Sequence, residues 1–430
     1  MRKVLPIIIL FFAFRLTAIS QQHLQFSFTH YDMNNGLAAY DAGSITQDEE
    51  GFIWIGTING LQRFDGNRFI TFRHEPANEH SLPDNYIFKI HYDKNKRLWV
   101  LLGNGKIGIF DTRNFRFKEV AVKTSNQRML VSERNLFEDS RGNLLYYFPG
   151  IDILTLNEAQ DEFTPDYSLF TLPPKFEVWN IKEDLKTGKL YIACDLGFVV
   201  FDPLRNKTSY RDNNAGNEAL IQQLGDLDQV SILLIDSKQR LWFHRWLPGQ
   251  GVPALYCYDL LNKKLIINHL VLLNTFQSYH ELRTMIEQKD STIWIAGLSA
   301  FAKYRDDKKS FQPVYNGYVN DQSIYYQRVN DIFEDRQNNL WIATSNNGVY
   351  VFNPKQQLFS NITHINRTTQ RQGDGNVLSF AHTGPGDILV GTWGDGIYKY
   401  DSSLNRVPIN IQGLDENNAL SGCSMYNSGK

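Results

Sequence analysis

The residues able to do chemistry fall into a few groups, and each group carries its own structural requirement. Gly103-Asn104-Gly105-Lys106-Ile107-Gly108 has the spacing of a phosphate-cradling glycine loop. Such a loop needs a helix to open directly after it, because free backbone N–H groups at the helix N-terminus hold the pyrophosphate. The residues that follow read as a β-hairpin, so no nucleotide site is expected there. The chain has no His-Glu-x-x-His, no Gly-x-Ser-x-Gly, no Walker A loop and no Cys/His metal spacing. His23, His30, His74, His80 and His91 are scattered, and neither a metal nor a cofactor is expected. Carboxylates are plentiful. Glycoside hydrolysis would need two of them facing each other across the scissile bond. Here the acids recur in Asp-x-x-Gly/Asn turns, where an Asp side chain bonds nearby backbone N–H groups, and no pair stands apart. A catalytic site is therefore not expected.

Binding chemistry is easier to find. The segment His244-Arg245-Trp246-Leu247-Pro248-Gly249-Gln250-Gly251 places Trp246 beside Arg245. An aromatic face with a guanidinium fork next to it suits stacking on a sugar ring and gripping its polar groups. Arg134, Arg283 and Arg328 occupy near-equivalent places in three other segments, accompanied by Tyr86, Trp179, His280 and Tyr326. If the three arginines converge, they form a basic rim suited to a carboxylated or sulfated sugar. The candidate ligand-binding residues are thus Arg245, Trp246, Arg134, Trp179, Arg283 and Arg328.

The elements that must position these residues come from a repeat. Asp48-x-x-Gly51-Phe52-Ile53-Trp54-Ile55-Gly56-Thr57 returns as Asp335-x-x-Asn338-Asn339-Leu340-Trp341-Ile342-Ala343-Thr344. With the Trp slot as ruler, Trp54, Trp99, Leu145, Tyr191, Trp242, Trp294, Trp341 and Leu389 follow at gaps of 45, 46, 46, 51, 52, 47 and 48 residues. Each unit holds short β-branched and aromatic runs bounded by Gly, Asn and Asp, with a lone Phe in the last run at Phe69, Phe117, Phe311 and Phe359. Such runs are strands, and four per unit at this period spell a β-propeller blade. The fold class is all-β, with the Trp slots packed between blades. Seven units from residue 44 to about 360 would close one ring, with Phe26–Tyr31 supplying the outer strand of the last blade. The eighth unit, from Val377, would begin a second propeller; a single eight-bladed ring is the alternative. The binding residues then lie on loops of one propeller face.

Composition narrows the class. Aromatic residues make up 13 % of the chain, and the formal net charge is −2, so there is no global pull towards nucleic acid or anionic lipid. Arg2 and Lys3 precede an apolar run from Val4 to Phe14, and Ala18-Ile19-Ser20 offers small residues for cleavage. The run is too short to span a bilayer and reads as a secretory signal over residues 1–20. Cys194, Cys257 and Cys423 are an odd count and make no closed disulfide framework. Asn206, Asn361 and Asn366 head glycosylation-type triplets.

Residues 45–65, 282–304 and 329–353 carry a phrase, apolar-x-x-Ile-x-Glu-Asp-x-x-Gly-x-Leu-Trp-Ile-Gly-Thr, that resembles the two-component regulator propeller repeat. The resemblance spans the chain from about residue 25 onward. It implies the periplasmic sensor region of a hybrid two-component system in a bacterium that forages on polysaccharides. Such sensors carry two seven-bladed propellers followed by an immunoglobulin-like domain, a membrane helix and a histidine kinase. On this reading residues 21–360 are one propeller, and residues 361–430 are the first blade and a truncated second blade of another. The protein is then a periplasmic, non-enzymatic fragment that binds an oligosaccharide. The full-length form would be a homodimer, reaching the membrane only through its later parts, with no nucleic-acid contact from this segment. Two competing readings are a secreted propeller enzyme acting on glycans, a lyase or glycosidase, and a protein-interaction propeller.

Overall fold

A computed structural model describes residues 26–124, 133–165, 170, 172–247, 249–318, 322–354, 376–384, 386–393, 396–401 and 406–409. The chain divides into two compact units, one of which is Phe26–Gln356. Every apolar run of the repeat in this unit is a strand, and consecutive strands pair antiparallel as the intervening Gly, Asn and Asp turns require. The first blade is Ala42–Gln47, Ile53–Thr57, Gly60–Phe64 and Phe69–Phe72. Blades 2 to 6 have inner strands Ile87–Tyr92, Asn135–Glu138, Val178–Asp184, Val230–Ile235 and Thr284–Glu287. The seventh has Val329–Glu334, Leu340–Thr344 and Val349–Phe352, and takes its fourth strand, Phe28–Tyr31, from the other end of the unit. Phe28 lies opposite Phe352 and Tyr31 opposite Val349. The first strand in sequence thus fastens the last blade.

Between neighbouring blades the side chains form apolar clusters, one at each junction among the described residues. Trp54, Ile87 and Phe110 join blades 1 and 2, and Trp99, Tyr146 and Phe163 join 2 and 3. Leu145, Ile192 and Phe201 join 3 and 4; Phe198, Phe243 and Tyr256 join 4 and 5. Trp242, Ile295 and Tyr304 join 5 and 6, Trp294, Ile342 and Tyr350 join 6 and 7, and Trp341, Ile55 and Phe64 join blade 7 back to blade 1. The ring closes through packing as well as through the borrowed strand. All the Trp-slot residues are buried, Trp54, Trp99, Trp242 and Trp294 completely.

The repeat's acidic residues have two separate tasks. In the Asp-x-x-Gly turn, Asp48 Oδ1 accepts from Phe52 N while Oδ2 accepts from Trp54 Nε1 at 2.7 Å. Asp93, Asp236 and Asp335 hold Trp99, Trp242 and Trp341 in the same way, and Gln288 holds Trp294. Burying an indole N–H without an acceptor is costly, so the turn residue and the Trp are one device. The residue before this Asp, or before Gln288 in blade 6, reaches instead to the preceding blade. Glu138 accepts from Lys94 N, Glu183 from Ser140 N, Glu287 from Ser237 N and Glu334 from Lys289 N, at 2.6–2.9 Å. Gln47 does the same for Arg336 N across the closing junction.

Residues beyond 375 form one further sheet, Val377–Gly384, Asp387–Thr392, Gly396–Tyr400 and Arg406–Val407, in the second unit. Leu389 fills its Trp slot and is buried. The expected signal (residues 1–20), Phe359, Asn361, Asn366, Cys423 and the expected ninth repeat lie outside the described residues. Among the described residues no helix is long and apolar enough to cross a membrane.

Candidate functional site

Five inner strands carry a register shift that lets one residue slip out of the ladder: Gly43, Phe88, Trp179, Leu233 and Asn330. A bulge of this kind turns a strand and re-aims its side chains. All five residues line two cavities, of 180 and 450 Å³, built from the inner strands of the blades and so lying at the centre of the ring. The two cavities share Lys89, Glu133, Asn135, Arg283, Asn330 and Asp331 as a common wall.

In four of the five strands the residue after the bulge, Ser44, Lys89, Asn180 or Asp331, ties the inner strands to one another. Asp331 Oδ2 accepts from Ile45 N at 3.0 Å and Ser44 Oγ at 3.1 Å, and its Oδ1 from Ile332 N. Asn180 plays the matching part in blade 4: its Oδ1 accepts from Ile232 N and its Nδ2 donates to Ser231 Oγ. Lys89 Nζ donates to Asn135 Oδ1 at 2.6 Å. Burial raises the Asp331 carboxyl above its ordinary range, against the pull of Lys89 and its hydrogen bonds. Burial lowers the Lys89 ammonium, against the pull of Asp331 and Glu133. Lys182 is pushed down to about 8, first by burial and then by the charge of Lys89, against the pull of Asp331.

Aromatic and apolar side chains surround this polar floor. Tyr86, Ile58, Trp179 and Trp246 line the cavities, and Tyr86 and Trp179 are each 44 % exposed. Tyr86 rests on Gly103, whose N–H donates to the Tyr86 carbonyl at 2.7 Å. A side chain at position 103 would collide with the Tyr86 ring. The glycine-rich stretch is thus a hairpin turn, with Gly105 at φ +95°, that seats an aromatic ring.

Of the residues singled out in the sequence, Trp179, Trp246 and Arg283 line the larger cavity, and Arg283 and Arg328 the smaller. Arg328 Nε donates to Asn330 Oδ1, and Arg283 pairs with Glu281 at 3.6 Å. Arg134 does not join them. It is buried, its guanidinium lies over Phe88, and Nη2 donates to the Leu102 carbonyl. Arg245 lines neither cavity and donates to the Asp228 carbonyl at 3.1 Å. His280 and Tyr326 are buried. Sequence reasoning missed Lys89, Lys182 and Asp331. The signal was a charged residue interrupting an apolar inner strand, as in Ile87-Phe88-Lys89-Ile90 and Ile181-Lys182. Among the described residues no cluster of His, Cys, Asp or Glu is arranged to hold a metal.

Comparison with known proteins accords with this architecture. The sequence profile of the two component regulator propeller family matches residues 326–346, the region leading into and through the inner strands of blade 7. Over 82 residues the chain is 30 % identical to histidine kinase P4 of Formosa agariphila, a match that takes in 19 % of this chain and 6 % of that protein. The fold is similar to the extracellular domain of a hybrid two component system from B. thetaiotaomicron, with TM-score 0.65 and 21 % identity, covering 90 % of this chain and 49 % of that one. A second such domain from the same organism gives TM-score 0.55 and 17 % identity, over 87 % and 46 %. The chain therefore spans about half the length of these solved domains and a small part of the kinase. It carries the two component regulator propeller repeat and is a β-propeller with the fold of the extracellular domains of hybrid two-component systems.

Proposed function

We propose that this chain is the ligand-sensing part of a periplasmic hybrid two-component sensor. On this reading it binds an oligosaccharide at the centre of the ring to control polysaccharide-utilisation genes. The observation that carries the reading is the 450 Å³ cavity, within the range of roughly 300–1,000 Å³ typical of ligand pockets. Trp179 and Trp246 on its wall offer flat apolar faces, and Asn180, Ser231, Asn330 and Arg283 offer hydrogen-bonding groups. That mixture suits sugar rings, which are apolar on their faces and polar at their edges.

Signalling would follow from a difference in affinity between two arrangements of the sensor, which a ligand can shift only as far as that difference allows. The partner in that change would be a second copy of the full-length protein, with the membrane reached through later segments. Asp331 serves the fold in this arrangement: both its oxygens are engaged by Ser44, Ile45 and Ile332, as the Asn180 amide is engaged in blade 4. Calorimetry of the exported protein against neutral and acidic oligosaccharides tests the proposal. Trp246→Ala is expected to weaken binding at least tenfold with unfolding midpoints nearly unchanged. Equal binding by variant and parent would remove Trp246 from the site. Cleavage of the sugar during the titration would replace the sensor with the enzyme reading.

A further inference from the structure

The seam where the ring closes carries a cavity of its own. It measures 360 Å³ and lies between the borrowed strand Phe28–Tyr31, the Asp turn of blade 7 and the third strand of blade 1. It shares no lining residue with the central cavities. The repeat shows why the space is open. In blades 2 and 5 the residue two before the Trp slot is an arginine. Arg97 pairs with Asp93 and lies 5.2 Å from the Trp99 ring centroid; Arg240 pairs with Asp236 and lies 5.3 Å from that of Trp242. Each guanidinium then crosses to an acid on the next blade, Glu158 or Asp306. Both acids stand three places after the residue opposite their own blade's Trp slot. At the seam the arginine position is Asn339 and the acid position is Gly66. A Cβ added at Gly66 would meet nothing within 4 Å. Trp341 alone among the Trp-slot tryptophans keeps an exposed edge, 5 % of its surface.

The lining is polar, and part of it is unspent. Asn339 Nδ2 donates to Asp335 and Gln337 Oε1 accepts from Gln47. The other ends of these two amides, with the hydroxyls of Thr29 and Tyr31, make no hydrogen bond within the chain among the described residues, yet all four residues line one space. No lysine, arginine or histidine lines it, so nothing there receives an anion. Its carboxylates call for no cation either. Each oxygen of Asp335 accepts two donors, and Asp65 is answered by Asn67 N and by Arg68. Amides, hydroxyls and an indole edge suit a neutral molecule rich in hydroxyls. The volume is at the small end of the roughly 300–1,000 Å³ of ligand pockets, which favours a single ring over a chain.

We propose that the seam cavity is a second binding site, for a free neutral monosaccharide, and that its occupant holds the ring shut. The proposal does not rest on the reading of the central cavity. Thr29 and Tyr31 come from the borrowed strand, Gln337 and Asn339 from the blade 7 turn, and Phe64 and Asp65 from blade 1. Departure of the borrowed strand dismantles the site. A molecule that binds only the closed ring therefore shifts the ring towards closure.

The test is hydrogen–deuterium exchange of the full chain with glucose, galactose, mannose and xylose, and with glucuronate and galacturonate as charged counterparts. At least one neutral sugar is expected to slow exchange at residues 28–31 and 337–341. N339R restores the arginine of blades 2 and 5. The residue before it has the same left-handed backbone in all three turns, φ +64° at Lys96, +63° at Gln239 and +67° at Asn338, so the turn accepts it. N339R should fill the cavity, abolish the protection by sugar, and keep or raise the unfolding midpoint. T29V removes one hydroxyl from the lining and keeps the strand's shape; it should raise the sugar concentration needed for half-protection several-fold. Absence of protection with all four neutral sugars overturns the proposal. So does an uronate that protects as well as its neutral counterpart, or sugar protection that persists in N339R. Should N339R fail to fold, unchanged protection in T29V overturns it as well.

Discussion

At the scale of single residues, the Asp-x-x-Gly-x-x-Trp phrase is a small machine for burying an indole. Asp335 turns the chain with one oxygen, which accepts from Asn339 N, and satisfies Trp341 Nε1 with the other at 2.8 Å. Trp341 itself stacks on Tyr31 from the borrowed strand and meets Phe64 of blade 1 edge-on. Trp341→Ala therefore opens a cavity at the junction that closes the ring. Denaturant unfolding is expected to show a loss of about 3–5 kcal/mol, the usual range for truncating a core aromatic; a loss under about 1 kcal/mol would show that the slot is not core. The sequence showed that the Asp makes a turn and the Trp is core, because both follow from residue type and spacing. The bond between them was not legible, since it depends on a side-chain direction that spacing does not specify. The same limit hid Arg134, which matched Arg283 and Arg328 in position but turns into its own neighbourhood at Leu102 and Phe88.

At the scale of elements, the blade is built from short β-branched and aromatic strands, the second of them buried along its whole length in blades 1, 2, 3, 6 and 7, and from hairpins that Gly, Asn and Asp favour. That is why the repeat could be read as four strands per unit. Two features that matter for the site escaped. The inner-strand bulges depend on how strands pair, and nothing in Val178-Trp179-Asn180 or Val329-Asn330-Asp331 announces them. The Glu of the Glu-Asp pair looked like part of the turn, yet its partner lies one blade away. Glu183 accepts from both the backbone N–H and the hydroxyl of Ser140 at 2.6 Å. Loss of a charge-assisted bond of this kind costs about 1–2 kcal/mol where solvent can partly replace it. Glu183→Ala should lower stability by that amount, and hydrogen exchange should quicken at Ser140 while remote blades keep their protection. An unchanged exchange rate at Ser140 would show that the clamp does not couple the blades.

At the scale of the molecule, residues 26–356 form a cycle of seven sheets whose junctions are all apolar and whose inner strands frame a charged, aromatic-walled cavity. A ring fastened by its own first strand is a rigid frame, and loops and strand ends on a rigid frame are where binding is added. The family phrase was legible because it repeats. The ligand was not, because the residues that would bind it are those that break the repeat, and one chain offers no second example of them. The central claim is that the ring's middle is the binding site. Hydrogen–deuterium exchange of the exported chain, with and without an oligosaccharide found to bind by calorimetry, tests it most directly. The account predicts protection confined to the cavity-lining segments around residues 86–89, 179–182, 244–247 and 281–284. Protection at the Asp turns near residues 48–52, 93–97 and 236–240, with the cavity segments unchanged, would contradict it.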